Sequence, residues 1–228
     1  MQRILEPELM DDAEQALAYD QADFSESHGR RVALFMERYA AELSDALNGW
    51  VLDIGCGSGD VLERFARALP KARFVAVDGS AAMLELAKRR IAKEAHLASR
   101  VQFVEAFVPS PVIPKLDYAV IMSHSMLHHL HQPAVLWNTV KQVAGSRSYV
   151  FVADLRRPES SDDAARIVDA HSANEPEVLR RDYYNSLCAA FTPQEVERQM
   201  VDTGLTQLSV EAVGDVHMLI HGYIGSES

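Results

Sequence analysis

The order of segments along the chain predicts a three-layer α/β fold, with helices on both faces of a mostly parallel sheet that closes in an antiparallel hairpin. Three observations carry this. Val51 to Asp60, VLDIGCGSGD, packs a short apolar strand, a glycine turn and a helix start into one stretch. Beyond it, short apolar runs alternate with stretches whose apolar residues recur every three or four positions, the pattern of strands joined by crossover helices. Near the end, Leu208–Val213 and Val216–Ile224 flank Gly214 and Asp215, residues that accept the positive φ of a tight hairpin turn.

In order, residues 1–27 are polar and acidic with scattered apolar positions, an arm packed on the core. From His28 to Leu47, Val32, Phe35, Met36, Tyr39, Leu43 and Leu47 repeat at helical spacing and predict a helix before the first strand. Val61, Leu62, Phe65, Ala66 and Leu69 mark the helix after the glycines, which Pro70 should end. Phe74–Asp78 is the second strand. Ser80 caps a helix over Ala81–Glu94 with Met83, Leu84, Ala87 and Ile91 inward. Val101–Phe107 is the third strand, followed by a stiff loop with Pro109, Pro111 and Pro114.

Asp117–Ser123 is the fourth strand, and Pro133 opens the helix Ala134–Val143, which Gly145 ends. Ser148–Asp154 is the fifth strand. Helices over Asp162–Ala173 and Glu177–Ala190 then interrupt the strand-helix alternation, and Thr192, Pro193 and Glu195 form a capping box for a helix running to Gly204.

Composition bounds the possibilities. The 228 residues, 48% hydrophobic, suffice for one core of this kind and not for two. A single domain is expected, with a helical arm or lid over 1–49, a ligand-binding core over 50–157, a helical insert over 158–190 and the last helix and hairpin over 191–228. With 33 acidic against 22 basic residues and a net charge of -11, a nucleic-acid partner is disfavoured. Two cysteines, Cys56 and Cys188, give no disulfide framework, and no signal peptide or membrane-spanning run is visible, so a cytoplasmic, membrane-free protein is expected.

The glycine turn carries the chemistry. Gly55, Gly57 and Gly59 leave no side chain where a ligand must lie against the backbone, and the following helix presents unpaired N–H groups to the same place. Asp53 ends the first strand with its carboxylate toward the turn. Asp78 ends the second strand, where an acid reaches the vicinal hydroxyls of a ribose. An acid directly before the glycines would repel a pyrophosphate and suits a cationic nucleoside cofactor. His128, His129 and His131 cluster after the fourth strand, but neighbouring histidines point apart and no acid or cysteine at ligand spacing joins them, so no metal centre is expected.

On these residues the chain resembles the class I S-adenosylmethionine (SAM)-dependent methyltransferases, whose first motif reads acid, any, Gly, any, Gly, any, Gly. The resemblance covers Val51 to Asp154, with the expected tail from Phe191 to Ile224. It implies a Rossmann-like fold with a seven-stranded sheet, SAM as cofactor and S-adenosylhomocysteine (SAH) as product. Cofactor contacts then fall on Asp53, Gly55, Gly57, Gly59, Asp78, Gly79, Met83, Glu105, Ala106 and Ser123, with Glu105 and Ala106 beside the adenine. The carboxyl ends of the strands place Ser123, His124 and Ser125 toward the transferred methyl group. Tyr19, Asp23 and Phe24 become lid candidates, and the first His of Leu127-His128-His129-Leu130 packs and shapes the site.

A narrower resemblance lies in the stretches RILEPELMDDAEQALAYDQADFSESH and DYYNSLCAAFTPQEV, which are similar to the methyltransferase domain of ovothiol-forming sulfoxide synthases. It implies a small-molecule acceptor, the imidazole nitrogen of 5-thiohistidine. Arg156 or Arg181 would hold its carboxylate, His124, Tyr184 and Asn185 would orient the ring, and Tyr19, Phe24 and Tyr183 would complete the acceptor pocket. Three alternatives stay open: another small metabolite as acceptor, a nicotinamide-dependent oxidoreductase, and a non-catalytic SAM-binding subunit.

Overall fold

The structure is a computed structural model that describes residues 1–8, 19–20, 22, 24–39 and 48–225. Asp23, Leu43 and Leu47, among the positions read above, lie outside these residues. Its centre is a seven-stranded sheet in the order β3-β2-β1-β4-β5-β7-β6. Strands β1 (Trp50–Ile54), β2 (Arg73–Asp78), β3 (Val101–Glu105), β4 (Tyr118–His124) and β5 (Ala144–Leu155) run parallel. Strands β6 (Ser209–Val213) and β7 (His217–Ile224) form the hairpin, and β7 pairs antiparallel with β5. Among the described residues, the α-helices with described bounds are α1 (Ser25–Tyr39), α2 (Asp60–Ala68), α3 (Ala81–Ala92), the single turn α4 (Ala95–Ala98), α5 (Ala134–Val143), α6 (Ser161–Ser172), α7 (Glu177–Ala189) and α8 (Pro193–Thr203).

Strand alternation divides the core into two layers. Val51, Phe74, Ala76, Val120, Met122, Tyr149 and Phe151 face one side, where Phe35 of α1, Leu62 and Phe65 of α2 and Leu84 and Ile91 of α3 cover them. Leu52, Ile54, Val75, Val77, Ile121, Val150 and Val152 face the other, under Leu136, Trp137 and Val140 of α5 and Val196 and Met200 of α8. Both faces are therefore dry, which is why the central strands read as continuous apolar runs. The chain reverses its direction of travel across the sheet between β1 and β4, so their carboxyl ends open a crevice at the switch point.

Most strand boundaries fall within one residue of the sequence reading, and two differ by more. β3 stops at Glu105 because its partner β2 stops at Asp78, the residue paired with it, and Phe107 beyond is 66% exposed. β5 starts at Ala144, not Ser148, because Gly145 donates its N–H to Ser148 Oγ at 2.9 Å and Ser148 Oγ donates to the Tyr118 carbonyl at 2.7 Å. A Cβ at Gly145 would lie 1.8 Å from Asp117 Oδ1, so the glycine permits an early strand and does not simply end a helix.

The insert of α6 and α7 has its own small apolar cluster, Leu155, Ala164, Val168, Leu187, Cys188, Ala190 and Val216, with Met1 against it. Residues 1–8 run along this insert: Ile4 N–H donates to the Cys188 carbonyl at 3.0 Å, and Arg3 donates to the carbonyls of His128 at 2.8 Å and Leu130 at 3.0 Å. No helix among the described residues is long and apolar enough to cross a membrane.

At the start of α8 the capping box forms as read. Thr192 Oγ1 accepts from Glu195 N, and Glu195 accepts from Thr192 N while also bonding Arg157 at 2.6 Å. Thr192→Ala should lower the unfolding free energy by about 1 kcal/mol. Glu195→Ala should lower it by more, since Arg157, whose side chain is 6% exposed, then loses its carboxylate. Urea denaturation of both variants checks the order.

Candidate active site

The crevice between β1 and β4 opens into a cavity of about 1370 Å³, lined on one side by the glycine turn and on the other by α1, α7 and the start of β7. The turn is pinned from β2. Gly55 and Cys56 both donate to the Val77 carbonyl, at 2.8 and 3.0 Å, and the Asp78 carboxylate accepts from Gly57 N and Ser80 N, each at 2.8 Å. Gly57 and Gly59 have φ of 53° and 79°. They serve different ends. A Cβ on Gly59 would sit 2.9 Å from Ala87 Cβ, so this glycine lets α2 and α3 pack; a Cβ on Gly57 would meet nothing within 4 Å and would project into open space.

Asp53 is 1% exposed and its Oδ1 has no hydrogen-bond partner among the described residues. Burial, and next the neighbouring Asp78, push its carboxyl up to about 8. A buried acid without a partner is costly unless a ligand completes it. Gly79, Met83 and Ala106 line the same end of the cavity, with Phe107 and Val108 beside them. An aminoacyl group at the turn, a ribose at Asp78 and an apolar wall for a base fit a nucleoside-sulfonium cofactor.

Two expected cofactor contacts fall elsewhere. Glu105 is exposed and does not line the cavity. Ser123 is 1% exposed and donates to the Ile54 carbonyl at 2.7 Å, on the sheet face opposite His124; His124 and Ser125, the latter just past the strand, line the cavity. Ser125 takes φ 51°, a left-handed conformation at the end of β4.

His124 lies against Phe65 and Phe151, and neither ring nitrogen has a partner among the described residues. Burial, then the positive field of Arg31 and His28, hold it well below the usual imidazole range, so it is neutral. Tyr19, Phe24 and Tyr183 line the cavity; Phe24 stacks on His28 at 5.1 Å, and burial pushes the Tyr183 phenol up to about 12.

The other acceptor candidates do not reach the cavity. Arg156 donates to the Gly214 and Asp215 carbonyls and ties the end of β5 to the hairpin turn. The Arg181 side chain is 67% exposed, Asn185 is exposed, and Tyr184 packs into the insert's own cluster beside Cys188. On α7 the cavity face belongs to Leu179, Asp182, Tyr183 and Ser186.

Two arginines of α1, Arg30 and Arg31, do line the cavity, and of these Arg31 is the one with buried, unpartnered nitrogens among the described residues. Its Nη2 lies 3.3 Å from His217 Nε2, while Nε and Nη1 are buried with no partner among the described residues. Burial, and next Arg31, lower the His217 imidazole to about 4, so it is a neutral acceptor. The sequence held a signal for Arg31: with His28, Val32 and Phe35 it completes the i, i+3, i+4, i+7 stripe that faces the core.

The histidine cluster also differs from its reading. His128 Nδ1 bonds Asp154 Oδ1 at 2.6 Å, and an acid does join the histidines, since Glu6 Oε1 lies 3.6 Å from His128 Nε2 and 3.2 Å from His129 Nδ1. The acid comes from the N-terminal arm, where local spacing could not show it.

Comparison with known proteins agrees with this geometry. Residues 51–145 match the family described as methyltransferase domain. Over those residues the chain is similar to a methyltransferase domain, and its fold is that of SAM-dependent methyltransferases. A SAM-dependent methyltransferase from Aquifex aeolicus superposes with a TM-score of 0.60 at 17% identity, covering 93% of this chain and 98% of that one. The plantazolicin methyltransferase BpumL in complex with SAH superposes at 0.59 and 16% identity, covering 92% and 95%. In sequence, the release factor glutamine methyltransferase of Chlorobaculum tepidum is 44% identical over 73 residues, 31% of this chain and 24% of its own length. The mitochondrial ubiquinone biosynthesis O-methyltransferase of Schizosaccharomyces pombe is 32% identical over 83 residues, 36% and 29%. The chain thus spans under a third of the length of these curated relatives.

Gly57→Ala should cost about 1–2 kcal/mol in left-handed strain and weaken SAH binding, whereas Gly59→Ala should cost about 2–4 kcal/mol because strain and a helix clash add. Denaturation and calorimetric titration separate the two. Asp53 sets a pH dependence. Its folded pKa lies above that of the unfolded chain, so the ligand-free protein binds the extra proton and loses stability as pH rises from about 4 to about 8. Asp53→Asn should flatten that decline in melting curves, and SAH binding to the wild type should strengthen with pH and release protons.

Proposed function

We propose that this chain transfers the methyl group of SAM to a small acceptor that carries an anionic group, with Arg31 holding the anion. The observation that supports it most is the buried guanidinium with two unpartnered nitrogens on the cavity that also contains the cofactor turn. A buried charge without a partner is unfavourable, and a carboxylate on the ligand would supply charge-assisted hydrogen bonds there. SAM supplies an electrophilic methyl group, and the transfer is an in-line displacement. The chain's task is to orient a nucleophile and exclude water. His124, neutral and without a partner, and the neutral Tyr183 phenol are placed to orient the acceptor's reacting ring or heteroatom.

Within this reading the acceptor of interest is 5-thiohistidine, methylated on its imidazole nitrogen. Its carboxylate would go to Arg31, not to Arg156 or Arg181. Other carboxylate-bearing metabolites satisfy the same geometry. The relatives named above have unlike acceptors in their names, and the family match ends at residue 145, before the insert and the hairpin that border this part of the cavity. A nicotinamide-dependent oxidoreductase is disfavoured by Asp53, whose carboxyl would sit against a pyrophosphate. A non-catalytic SAM-binding subunit remains the reading if no acceptor is turned over.

The test uses methyl-labelled SAM with 5-thiohistidine, histidine, simple thiols and a panel of carboxylate metabolites, alongside calorimetric titration with SAH and NAD. Arg31→Ala should raise the acceptor KM about 10- to 100-fold, the loss expected for one charge-assisted contact, with SAH affinity changed less than about threefold. A loss of SAH affinity with unchanged KM would assign Arg31 to the carboxylate of the cofactor. Binding of NAD without SAH would end the methyltransferase proposal.

A further inference from the structure

We propose that Glu6, His128 and His129 form a binding site for a zinc-class divalent cation at the wall of the acceptor cavity. The three ligand atoms lie within 4.8 Å of one another. Glu6 Oε1 is 3.6 Å from His128 Nε2 and 3.2 Å from His129 Nδ1. In a tetrahedral zinc site with bonds of about 2.0–2.1 Å, neighbouring ligand atoms stand about 3.3 Å apart, so these two separations straddle the edge of such a tetrahedron.

The surroundings are those of a built site and not of a surface cluster. The side chains of Glu6, His128 and His129 are 10%, 3% and 25% exposed. Glu6 Oε1 is buried with no hydrogen-bond partner among the described residues, while Oε2 accepts from Ser186 at 3.2 Å. His128 gives its other nitrogen, Nδ1, to Asp154 at 2.6 Å. That bond fixes the tautomer with its lone pair on Nε2, the carboxylate–histidine–metal arrangement. Asp154 is itself held by the N–H groups of Leu127 and Leu155 at 2.8 and 2.7 Å, so the imidazole cannot swing away. The charges of Glu6 and Asp154 together balance a dication.

The arm that carries Glu6 is docked on the same turn. Arg3 bonds the carbonyls of His128 and Leu130, and His131 Nε2 lies 2.8 Å from the Glu6 carbonyl. His128 and His129 both line the cavity, so a fourth coordination position faces it, open to water or to a heteroatom of the acceptor. Two histidines and one glutamate with an open position is a zinc donor set. Without a metal, the alternative arrangement is an imidazolium at His128 between Asp154 and Glu6, with His129 Nδ1 on the Pro7 carbonyl at 3.3 Å. This inference does not depend on which molecule is methylated, because its readout is metal content.

The full chain, stripped with a chelator and then dialysed against micromolar Zn(II), is analysed by mass spectrometry for metals, and the stripped protein is titrated with Co(II). The expected result is one zinc per chain, a four-coordinate Co(II) visible spectrum, and a higher melting temperature with Zn(II) than without. Glu6→Gln and His129→Asn, checked for folding by circular dichroism, should abolish stoichiometric binding and the zinc-dependent rise in melting temperature. Absence of metal from the dialysed wild type, or equal metal in the wild type and both variants, overturns the site. Retention of iron in place of zinc overturns the zinc assignment.

Discussion

The Asp78 carboxylate is the fixed point on which the cofactor end of this molecule depends. One oxygen accepts Gly57 N–H and the other accepts Ser80 N–H, so a single side chain at the end of β2 holds both the turn after β1 and the start of α3. Ser80 Oγ in turn caps α3 by accepting Met83 N–H at 3.2 Å, which sets Met83 at the cavity wall. The sequence reading gave Asp78 to a ribose. The structure adds that the same carboxylate orders the loop before any ligand arrives, and two lone pairs on each oxygen leave room for both duties.

That coupling explains why the layered core was readable and parts of the site were not. The strands, α2, α3, α5 and α8 follow from period-2 and period-3.6 apolar patterns and from local caps such as Thr192–Glu195, all of which lie within a few residues of one another. The glycine turn is equally local. Ser123 was misplaced by a matter of one residue: at the end of a strand, neighbours face opposite ways, so Ser123 closes the β1–β4 contact through the Ile54 carbonyl while His124 takes the cavity. Arg156 was misplaced because the hairpin turn, distant in sequence, offers the carbonyls of Gly214 and Asp215 to its guanidinium.

Arg31 and Glu6 show a different limit. Arg31 sits on the inward stripe of α1, a position that apolar periodicity reserves for core, and only the cavity beneath α1 makes an arginine there sensible. Glu6 meets His128 from 122 positions away along the chain, brought there by Arg3 on the Leu127–His129 turn and by Ile4 on α7. Contacts of that range leave no spacing signal. They are set by docking of the arm on the insert, which lies outside the strand-helix alternation.

Buried polar groups without partners converge on the cavity. Asp53 Oδ1, both nitrogens of His124, and Nε and Nη1 of Arg31 are buried without partners among the described residues, and all three residues line one cavity. A folded chain normally satisfies such groups, since each one left alone costs about 1–3 kcal/mol. Their signs are also ordered: an acid at the glycine turn, a neutral imidazole over the sheet switch point, and a cation under α1. A ligand pair with a cationic end at Asp53 and an anionic end at Arg31 would satisfy them together. Binding would then restore stability that the ligand-free fold lacks, which links the electrostatics of the cavity directly to its occupancy.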